Sequence, residues 1–223
     1  MKVLSIQMAL FTRDLISRPD LVMSGINEKT GKIFNAMPNI MNLPLDAPPE
    51  FPLVQVVSTD GMYNLNVSRN RVDLTISPKY EREDAPADLF KEYKILLEKY
   101  YKSVFGAMDL IRVGVVITLF HEASNNVEAV FDRGIKESFS TDCVEASYRI
   151  NKQNLYKGFV YNNIKSVQAG EVHVNNAVHK GVLIQLDTNN VPDSNKVISN
   201  EDISHLLAKV SEKIKVGQLK ELI

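Results

Sequence analysis

The chain has 223 residues, of which 44% are hydrophobic and 24% are charged, and it contains 10 Gly and 9 Pro. This composition is that of a soluble globular protein and excludes both an intrinsically disordered chain and a repetitive fibre. Lys and Arg number 26 against 27 Asp and Glu, so the overall positive charge expected of a nucleic-acid-binding protein is missing.

The chain carries one cysteine, Cys143. A single thiol forms neither an internal disulfide nor a cysteine-rich zinc site, and this favours a reducing, cytoplasmic location. Ser5 and Gln7 interrupt the first apolar residues, so we expect no secretory signal. The longest apolar run, residues 113–120, is much shorter than the roughly 18 residues that a membrane-spanning helix needs.

The first part of the chain combines a strand pattern with a proline-rich segment. Apolar residues recur at every second position in residues 4–10, which predicts a strand with one buried face. Residues 15–27 predict a short helix with Pro19 in its first turn. Residues 37–52 contain five prolines, which exclude regular structure, but the segment keeps large apolar side chains and must therefore pack on something.

A meander of three strands follows. Alternating apolar residues predict strands at 53–57, 63–67 and 72–76. Asp60-Gly61 and Arg69-Asn70 supply the turns between them, because Gly, Asn and Asp tolerate the backbone angles of tight turns.

The meander leads into a long amphipathic helix. Asp84 is suited to cap it, Pro86 lies in its first turn, and apolar residues recur at spacings of three and four as far as Val104. The rest of the chain is predicted to contain a buried strand at 110–120, a short helix at 125–134, strands near 144–150, 156–161, 167–174 and 182–186, a polar break at 187–195, and a last helix from Ser199 or Asn200 that stops at Gly217.

These elements predict an α+β fold in which antiparallel sheets pack against two long helices, and the sequence leaves open whether the two halves form two sheets or one continuous sheet. The order of strand, short helix, strands and long helix occurs twice, which indicates an internal duplication. It divides the chain into an N-terminal lobe at 1–108 and a C-terminal lobe at 109–223, with one continuous domain as the alternative.

Four short pieces of sequence, spread over most of the chain, point to a family. They are Phe51-Pro52-Leu53, the meander with Asp60-Gly61, Arg112-Val113-Gly114-Val115, and Ile184-Gln185-Leu186-Asp187 before the terminal helix. Together they resemble an uncharacterised, sporadically distributed bacterial protein family of about this length. The layout of that family is similar to the antiparallel sheet plus long helix of SecB-type export chaperones, and the resemblance implies no established activity.

Cys143 is the first candidate for enzyme chemistry. A thiol becomes a nucleophile when a neighbouring base or cation populates the thiolate, and His121, His173 or His179 is suited to that role. The alternative is that Cys143 is a small side chain beside a strand, as most unpaired cysteines are.

His173 and His179 are the candidate metal ligands. They lie six residues apart, and an irregular strand pair that brought them together would add Glu171 or Asp187 as a third ligand. The alternative is a pair of surface-strand histidines, because nothing in the sequence fixes their spacing. We therefore predict no catalytic, metal-binding or cofactor-binding residue.

A group of carboxylates is a further candidate for acid and base chemistry. Glu81, Glu83, Asp84 and Asp88 lie at the start of the long helix, where the helix dipole favours negative charge without any catalytic role. The sequence has no dinucleotide-binding glycine motif, no phosphate-binding loop, no nucleophile elbow and no zinc-protease helix motif. The common enzyme classes that depend on these motifs are therefore disfavoured.

Aromatic and basic residues around the long helix offer a nucleic-acid interpretation. Stacking rings and lysines are the combination that binds a single strand, whereas an aromatic stripe of this kind is more often core. The residues concerned are Tyr80, Tyr93, Tyr100, Tyr101, Phe105, Lys94, Lys99 and Lys102.

The proline-broken segment is the better candidate for recognition. Met41, Leu43, Leu45 and Phe51 are large apolar residues in an irregular loop, and such residues adapt to varied protein partners unless the loop only closes one end of a sheet. We therefore predict a non-enzymatic protein-binding module, chaperone-like or a subunit of a larger bacterial assembly. The alternatives are an enzyme with an unfamiliar site around Cys143, His173 and His179, and an accessory subunit that contacts nucleic acid. The expected partner is a protein or an unfolded polypeptide, and a homodimer would cover free sheet edges.

Overall fold

The computed structural model describes residues 1–44, 46–134, 143–193 and 196–215. The first half of the chain contains β1 (Lys2–Thr12), α1 (Pro19–Lys29), β2 (Asn39–Ile40), β3 (Val54–Val57), β4 (Tyr63–Val67), β5 (Arg71–Ile76) and α2 (Pro86–Phe105). The second half contains β6 (Leu110–Glu122), α3 (Asn126–Gly134), β7 (Ser147–Tyr156), β8 (Phe159–Val174), β9 (Ala177–Asn190) and α4 (Asn200–Lys213).

All nine described strands belong to one antiparallel sheet with the order β2-β3-β4-β5-β1-β6-β9-β8-β7. The central pair, β1 and β6, is antiparallel from Lys2 opposite Phe120 to Thr12 opposite Leu110, with register shifts between Val3 and Ser5 and between Phe11 and Thr12. This pairing joins the two halves of the chain, because each of the two strands would otherwise leave a row of unpaired backbone groups.

The predicted fold of antiparallel sheets packed against two long helices, with an internal duplication, is therefore wrong. The sheet is single, and the 20 residues of α2 have no equal among the described helices, since α4 has 14. Local periodicity predicts strands but does not reveal which distant strands pair. The division into lobes at residues 108 and 109 stays a prediction.

The hydrophobic core lies between one face of the sheet and the helices. On β1 the side chains of Ile6, Met8 and Leu10 are fully buried, whereas Gln7 and Phe11 on the other face are half-buried. Helices α2 and α4 contact each other, and α2 contacts β1 while α4 contacts β6 and β9. We call the face that carries Gln7 and Phe11 the open face.

The two longer helices begin in different ways. The N-cap of α4 is Ser199, whose hydroxyl accepts a hydrogen bond from the Asp202 backbone N–H, while the Asp202 carboxylate accepts one from the Ser199 N–H. The N-cap of α2 is Ala85, so the prediction that Asp84 caps this helix is wrong. The Asp84 carboxylate instead accepts a hydrogen bond from Arg82 Nε at 2.7 Å.

The last strands are longer than the sequence suggested. The strand predicted at 156–161 is divided by the turn between β7 and β8, and its residues 159–161 join the strand predicted at 167–174 in one strand of 16 residues, β8. The predicted polar break begins inside β9, which continues to Asn190. Asn190 remains in the strand because its buried side chain accepts from the Val113 N–H at 2.7 Å and donates to the Ile111 carbonyl at 3.0 Å. The predicted helix stop at Gly217 lies outside the described residues.

None of the helices that the structure describes is both long and apolar enough to cross a lipid bilayer.

Candidate protein-binding edges of the sheet

The proline-rich loop lies over the end of the sheet beside β2 and β3. The Met41 N–H donates to the Leu53 carbonyl at 2.8 Å, and the Arg69 N–H donates to the Pro49 carbonyl at 3.0 Å. The Arg69 guanidinium also donates to the Ala47 carbonyl. These bonds attach the loop to the meander, because prolines leave it without regular backbone pairing.

The loop still presents apolar side chains to solvent. Phe51 is 52% exposed, and Met41 and Leu43 are half-buried, while Leu45 lies outside the described residues. Met37 and Ile40 are more exposed, at 93% and 68%, and the sequence interpretation missed them. The sequence signal for their exposure was the adjacent Pro38, because a proline has no backbone N–H and therefore limits pairing with a neighbouring strand. We call Met37, Ile40, Met41, Leu43 and Phe51 the apolar loop surface.

A small cavity of about 90 Å³ opens beneath this surface. Small-molecule sites usually measure about 300–1,000 Å³, so this cavity suits one side chain of a protein partner better than a separate ligand. Its lining residues are Leu43, Pro44, Pro48, Phe51, Leu53 and Arg69.

The opposite edge of the sheet is formed by β7. This strand has ten residues, of which Tyr148 and Tyr156 are half-buried and the other eight are exposed. It pairs with β8 on one side, and no described residue pairs with its other side. An antiparallel edge strand directs about every second pair of backbone N–H and C=O groups outward, so β7 offers a row of free donors and acceptors.

The side chains of β7 give this edge a definite chemistry. Ile150 and Leu155 are 50% and 74% exposed, and their sequence separation places them on opposite faces of the sheet. Arg149 and Lys152 are exposed, and the strand contains no acidic residue. The edge is therefore apolar on both faces and positively charged.

Side-chain bonds to β8 hold β7 in register. Asn162 on β8 accepts hydrogen bonds from Asn151 Nδ2 at 3.0 Å and from Gln153 Nε2 at 2.9 Å. Asn162 in turn donates to Asn189 Oδ1 on β9 at 3.1 Å. This amide chain crosses three strands on the open face and positions β7 without covering it.

The structure does not bring the candidate metal ligands together. His179 is opposite Val172 and His173 is opposite Val178 in the β8–β9 pairing, so the two imidazoles point to opposite faces. His179 Nδ1 lies 3.0 Å from Glu122 Oε1. No group of three His, Cys, Asp or Glu side chains suited to a metal ion occurs among the described residues.

The other candidate ligands do not complete a metal site with His179, since Glu171 is opposite Lys180 and points to the other face of the sheet. Glu171 forms an ion pair with Lys180 at 3.8 Å. Asp187 lies eight residues from His179 along β9, which corresponds to about 27 Å at the usual strand rise. Cys143 is exposed just before β7, at the edge of the sheet.

The carboxylates at the start of α2 have structural partners. Glu83 pairs with Lys2 at 3.1 Å, and Arg82 pairs with Asp84 at 2.7 Å. The hydrogen bond from Arg82 holds the pKa of Asp84 below its usual value. A general acid needs a raised pKa, so Asp84 is not suited to that role near neutral pH.

The aromatic residues of α2 belong to the core. Tyr93, Tyr100 and Tyr101 are at most 4% exposed, and the Tyr100 hydroxyl donates to the Val72 carbonyl at 2.7 Å. Burial raises the pKa of Tyr100 well above its usual value. Bases of a nucleic acid cannot stack on rings that solvent does not reach.

A wide depression of about 620 Å³ lies between the start of α1 and the end of α2. Two of its three charged lining residues are engaged in ion pairs: Asp109 with Arg13 at 3.2 Å, and Arg18 with Asp20 at 2.6 Å. Asp14 is the third, and the lining contains no histidine, cysteine or lysine, so its candidate general bases are carboxylates.

Comparison with known proteins does not identify a function for these surfaces. The chain matches no protein-family model, and no curated protein is significantly similar to it in sequence. The geometry of the described residues thus offers two candidate binding edges of the sheet, the apolar loop surface and the basic strand β7 with its two exposed apolar residues.

Proposed function

We propose that the protein is a non-enzymatic protein-binding module that receives an extended segment of a partner along β7. The observation that carries this proposal is the ten-residue edge strand, exposed over nearly its whole length and unpaired on its outer side by any described residue. A peptide that adds a strand to such an edge gains main-chain hydrogen bonds, and alternate side chains then supply specificity.

The charge of β7 defines the chemistry of the partner. Arg149 and Lys152 disfavour a second copy of the same basic strand and favour a segment that contains acidic residues. Ile150 and Leu155 favour apolar residues on both faces of the added strand. A mixed apolar and acidic segment occurs in unfolded polypeptides and in flexible segments of assembly subunits, which are the partners of a chaperone and of an assembly subunit respectively.

The test is a binding titration with a fluorescently labelled, reduced and alkylated polypeptide that stays unfolded. The variant I150K removes one of the two exposed apolar side chains, Ile150 and Leu155, that the edge offers to an added strand. We expect it to weaken binding at least tenfold. The matched control is I95K, because Ile95 is similarly exposed, at 64%, but lies on α2. Equal affinity of I150K and I95K would contradict the proposal.

The identity of the partner distinguishes a chaperone from an assembly subunit. Affinity capture with the wild-type protein, I95K and I150K then shows either many unfolded chains or one stoichiometric protein that is lost only with I150K. The first result defines a chaperone and the second an assembly subunit. Light scattering over a range of concentrations tests the homodimer, which the charge of β7 leads us not to expect through this edge.

A further inference from the structure

The open face of the sheet contains a cleft of about 350 Å³ over β1, β6 and β9. Its floor is formed by Ala9 and Gly114, which lie opposite each other in the β1–β6 register. Larger side chains rise around these two small residues. The lining consists of Gln7, Ala9, Phe11, Glu50, Arg71, Arg112, Gly114, Val116, Asp187 and Asn189.

The small floor residues keep this cleft open. A Cβ atom at Gly114 would lie 3.2 Å from Asn189 Cβ, closer than ordinary van der Waals contact. The volume of the cleft is within the range of about 300–1,000 Å³ that is usual for small-molecule sites. The cleft therefore has the size of a ligand site, on a part of the sheet that the proposed binding at β7 does not use.

One wall of the cleft combines an aromatic ring with two arginines. Phe11 is opposite Arg71 on β5 and opposite Arg112 on β6, so the two guanidinium groups flank it. Their Cζ atoms lie 4.9 and 5.0 Å from the centroid of the ring. Cation–π attraction orients both groups, but it does not neutralise two positive charges beside each other.

Only one of the two charges has a counterion among the described residues. Arg71 donates to Asp73 Oδ1 at 2.6 Å, and the same oxygen accepts from Gln7 at 2.9 Å. In the described part of the chain Arg112 forms neither an ion pair nor a hydrogen bond, and its Nε is closed off from solvent without an acceptor. A partly buried guanidinium without an acceptor is costly, and an oxyanion ligand removes that cost.

The carboxylate of Asp187 does not fill this role. Asp187 is opposite Val116, which is four residues from Arg112 along β6, or about 13 Å at the usual strand rise. It accepts a hydrogen bond from Asn189 Nδ2 at 2.8 Å. The cleft thus has at one end a guanidinium that forms no ion pair with a described residue, and at the other end the Asp187 carboxylate with the Asn189 amide. Glu50 also lines it, so these carboxylates favour hydrogen-bond donors on the rest of a ligand.

We infer that this cleft binds a small anionic metabolite whose carboxylate or phosphate group pairs with Arg112, while its body lies over Ala9 and Gly114. Arg71 and Phe11 hold the guanidinium of Arg112 in place, and Asn189 and Asp187 contact polar groups at the far end. The guanidinium fork fits the oxygens of either anion, so both sources share one recognition chemistry.

The test is calorimetric titration of the full-length protein at low ionic strength with inorganic phosphate and, separately, with 4-hydroxybutanoate, which carries one carboxylate for Arg112 and a hydroxyl group for the far end. We expect saturable binding of at least one anion to the wild-type protein. R112Q should weaken it at least tenfold, because it removes the cation and retains a polar side chain. R149Q is the matched control, since Arg149 lies on the same open face on β7 and lines no part of the cleft, and it should bind as the wild type does.

The two titrations distinguish phosphate from carboxylate ligands. Binding of either anion that R112Q weakens and R149Q preserves supports the inference and identifies the ligand class. No saturable binding of either anion, or equal weakening by both substitutions, overturns it. A9L gives a second readout if R112Q does not fold, because it fills the floor without changing the charge, and unchanged anion binding by A9L likewise overturns the inference.

Discussion

The two edges of the sheet are built differently. The edge of the N-terminal half is β2, a strand of two residues that a proline-rich loop flanks and partly overlies. The edge of the C-terminal half is β7, a strand of ten residues whose outer side no described residue pairs with. The first edge is too short to receive another strand, whereas the second is long enough to do so.

The difference follows from the amino acids at each edge. Pro38 and the four prolines from 44 to 52 remove backbone donors and restrict the angles of the chain beside β2. The segment 147–156 contains neither proline nor glycine, so its backbone extends freely. Arg149 and Lys152 on this strand are the kind of charges that protect an exposed edge from unselective aggregation. The prolines thus prevent further strand pairing beside β2, whereas the charged side chains of β7 restrict which strands pair with it.

The largest predicted effect is a loss of stability at β9, which lies two strands from β7 in the sheet. Gly181 on β9 is opposite Glu122 on β6, and a Cβ atom there would lie 2.3 Å from the His121 carbonyl oxygen and 2.7 Å from the Phe120 ring. We expect G181A to lower the free energy of unfolding by about 2 kcal/mol or more, since the backbone must shift to admit the methyl group. Chemical denaturation measures this value.

Gly25 supplies the control for this prediction. It lies in α1, and a Cβ atom there meets nothing within 4 Å. We expect G25A to raise the free energy of unfolding by about 0.5–1 kcal/mol, because alanine favours a helix more than glycine does. A loss of stability for G25A equal to that for G181A would show that the close contact at β9 is not the cause.

The next effect concerns the charges that protect β7. The double variant R149Q/K152Q removes both cations from the strand, and we expect its self-association to increase about tenfold or more, because like charges no longer oppose edge pairing. Light scattering at several protein concentrations measures this change. K91Q/K99Q on α2 removes the same number of charges from exposed positions and should remain like the wild type. Equal association of both double variants would assign the effect to net charge alone.

A pH effect is expected from the helix behind the C-terminal strands. Burial lowers the pKa of Lys213 to about 8, although its ammonium donates to Thr188 Oγ1 at 2.5 Å and nearby Asp187 opposes the shift. Between pH 8 and about 10 the unfolded chain keeps this proton while the folded protein releases it. The free energy of unfolding should therefore rise with pH in this window, by up to about 1.4 kcal/mol per unit of pKa difference.

The substitution K213M isolates this titration. We expect the rise between pH 8 and 10 to disappear in K213M and to persist in K209M, because Lys209 is an exposed residue of the same helix. Urea denaturation at several pH values provides the comparison. A rise of the same size in K213M would assign the pH dependence to another group.

The smallest effect is expected at the short edge. M37S/I40S changes two exposed residues of the apolar loop surface, so the free energy of unfolding should change by no more than about 0.5 kcal/mol. Binding of the unfolded polypeptide should weaken only a few-fold, since this edge supplies no long row of backbone groups. A loss of affinity larger than that of I150K would reverse the order of the two edges and make the loop the main binding surface.

The sequence predicted the local elements better than their assembly. The alternation in β1 and the meander of β3, β4 and β5 were visible because each strand buries one face. The sequence left open whether the strands form one sheet or two, because the single sheet depends on the pairing of Met8 with Val115, residues more than a hundred positions apart. The strand predicted at 182–186 ended too early, because the polarity of Asn190 in the sequence conceals the two hydrogen bonds that its side chain makes to the backbone.

The candidate sites were also hard to predict, because they depend on the order and register of the strands. Exposed apolar residues of the proline-rich loop were predicted, but the bare side of β7 depends on its place at the end of the strand order. The spacing of His173 and His179 suggested one metal site, and the register of β8 and β9 then placed them on opposite faces. The arginine-lined cleft was missed for a related reason, because Phe11, Arg71 and Arg112 are distant in sequence.

Hydrogen–deuterium exchange of the β7 amides, measured with and without the unfolded polypeptide, tests the account most directly. In the free protein the outward-facing amides of β7 should exchange rapidly, because no described residue accepts from them. With the polypeptide bound, protection should increase along residues 147–156 in the wild type and in I95K, but not in I150K. Protection elsewhere with none along β7 would contradict strand addition at this edge.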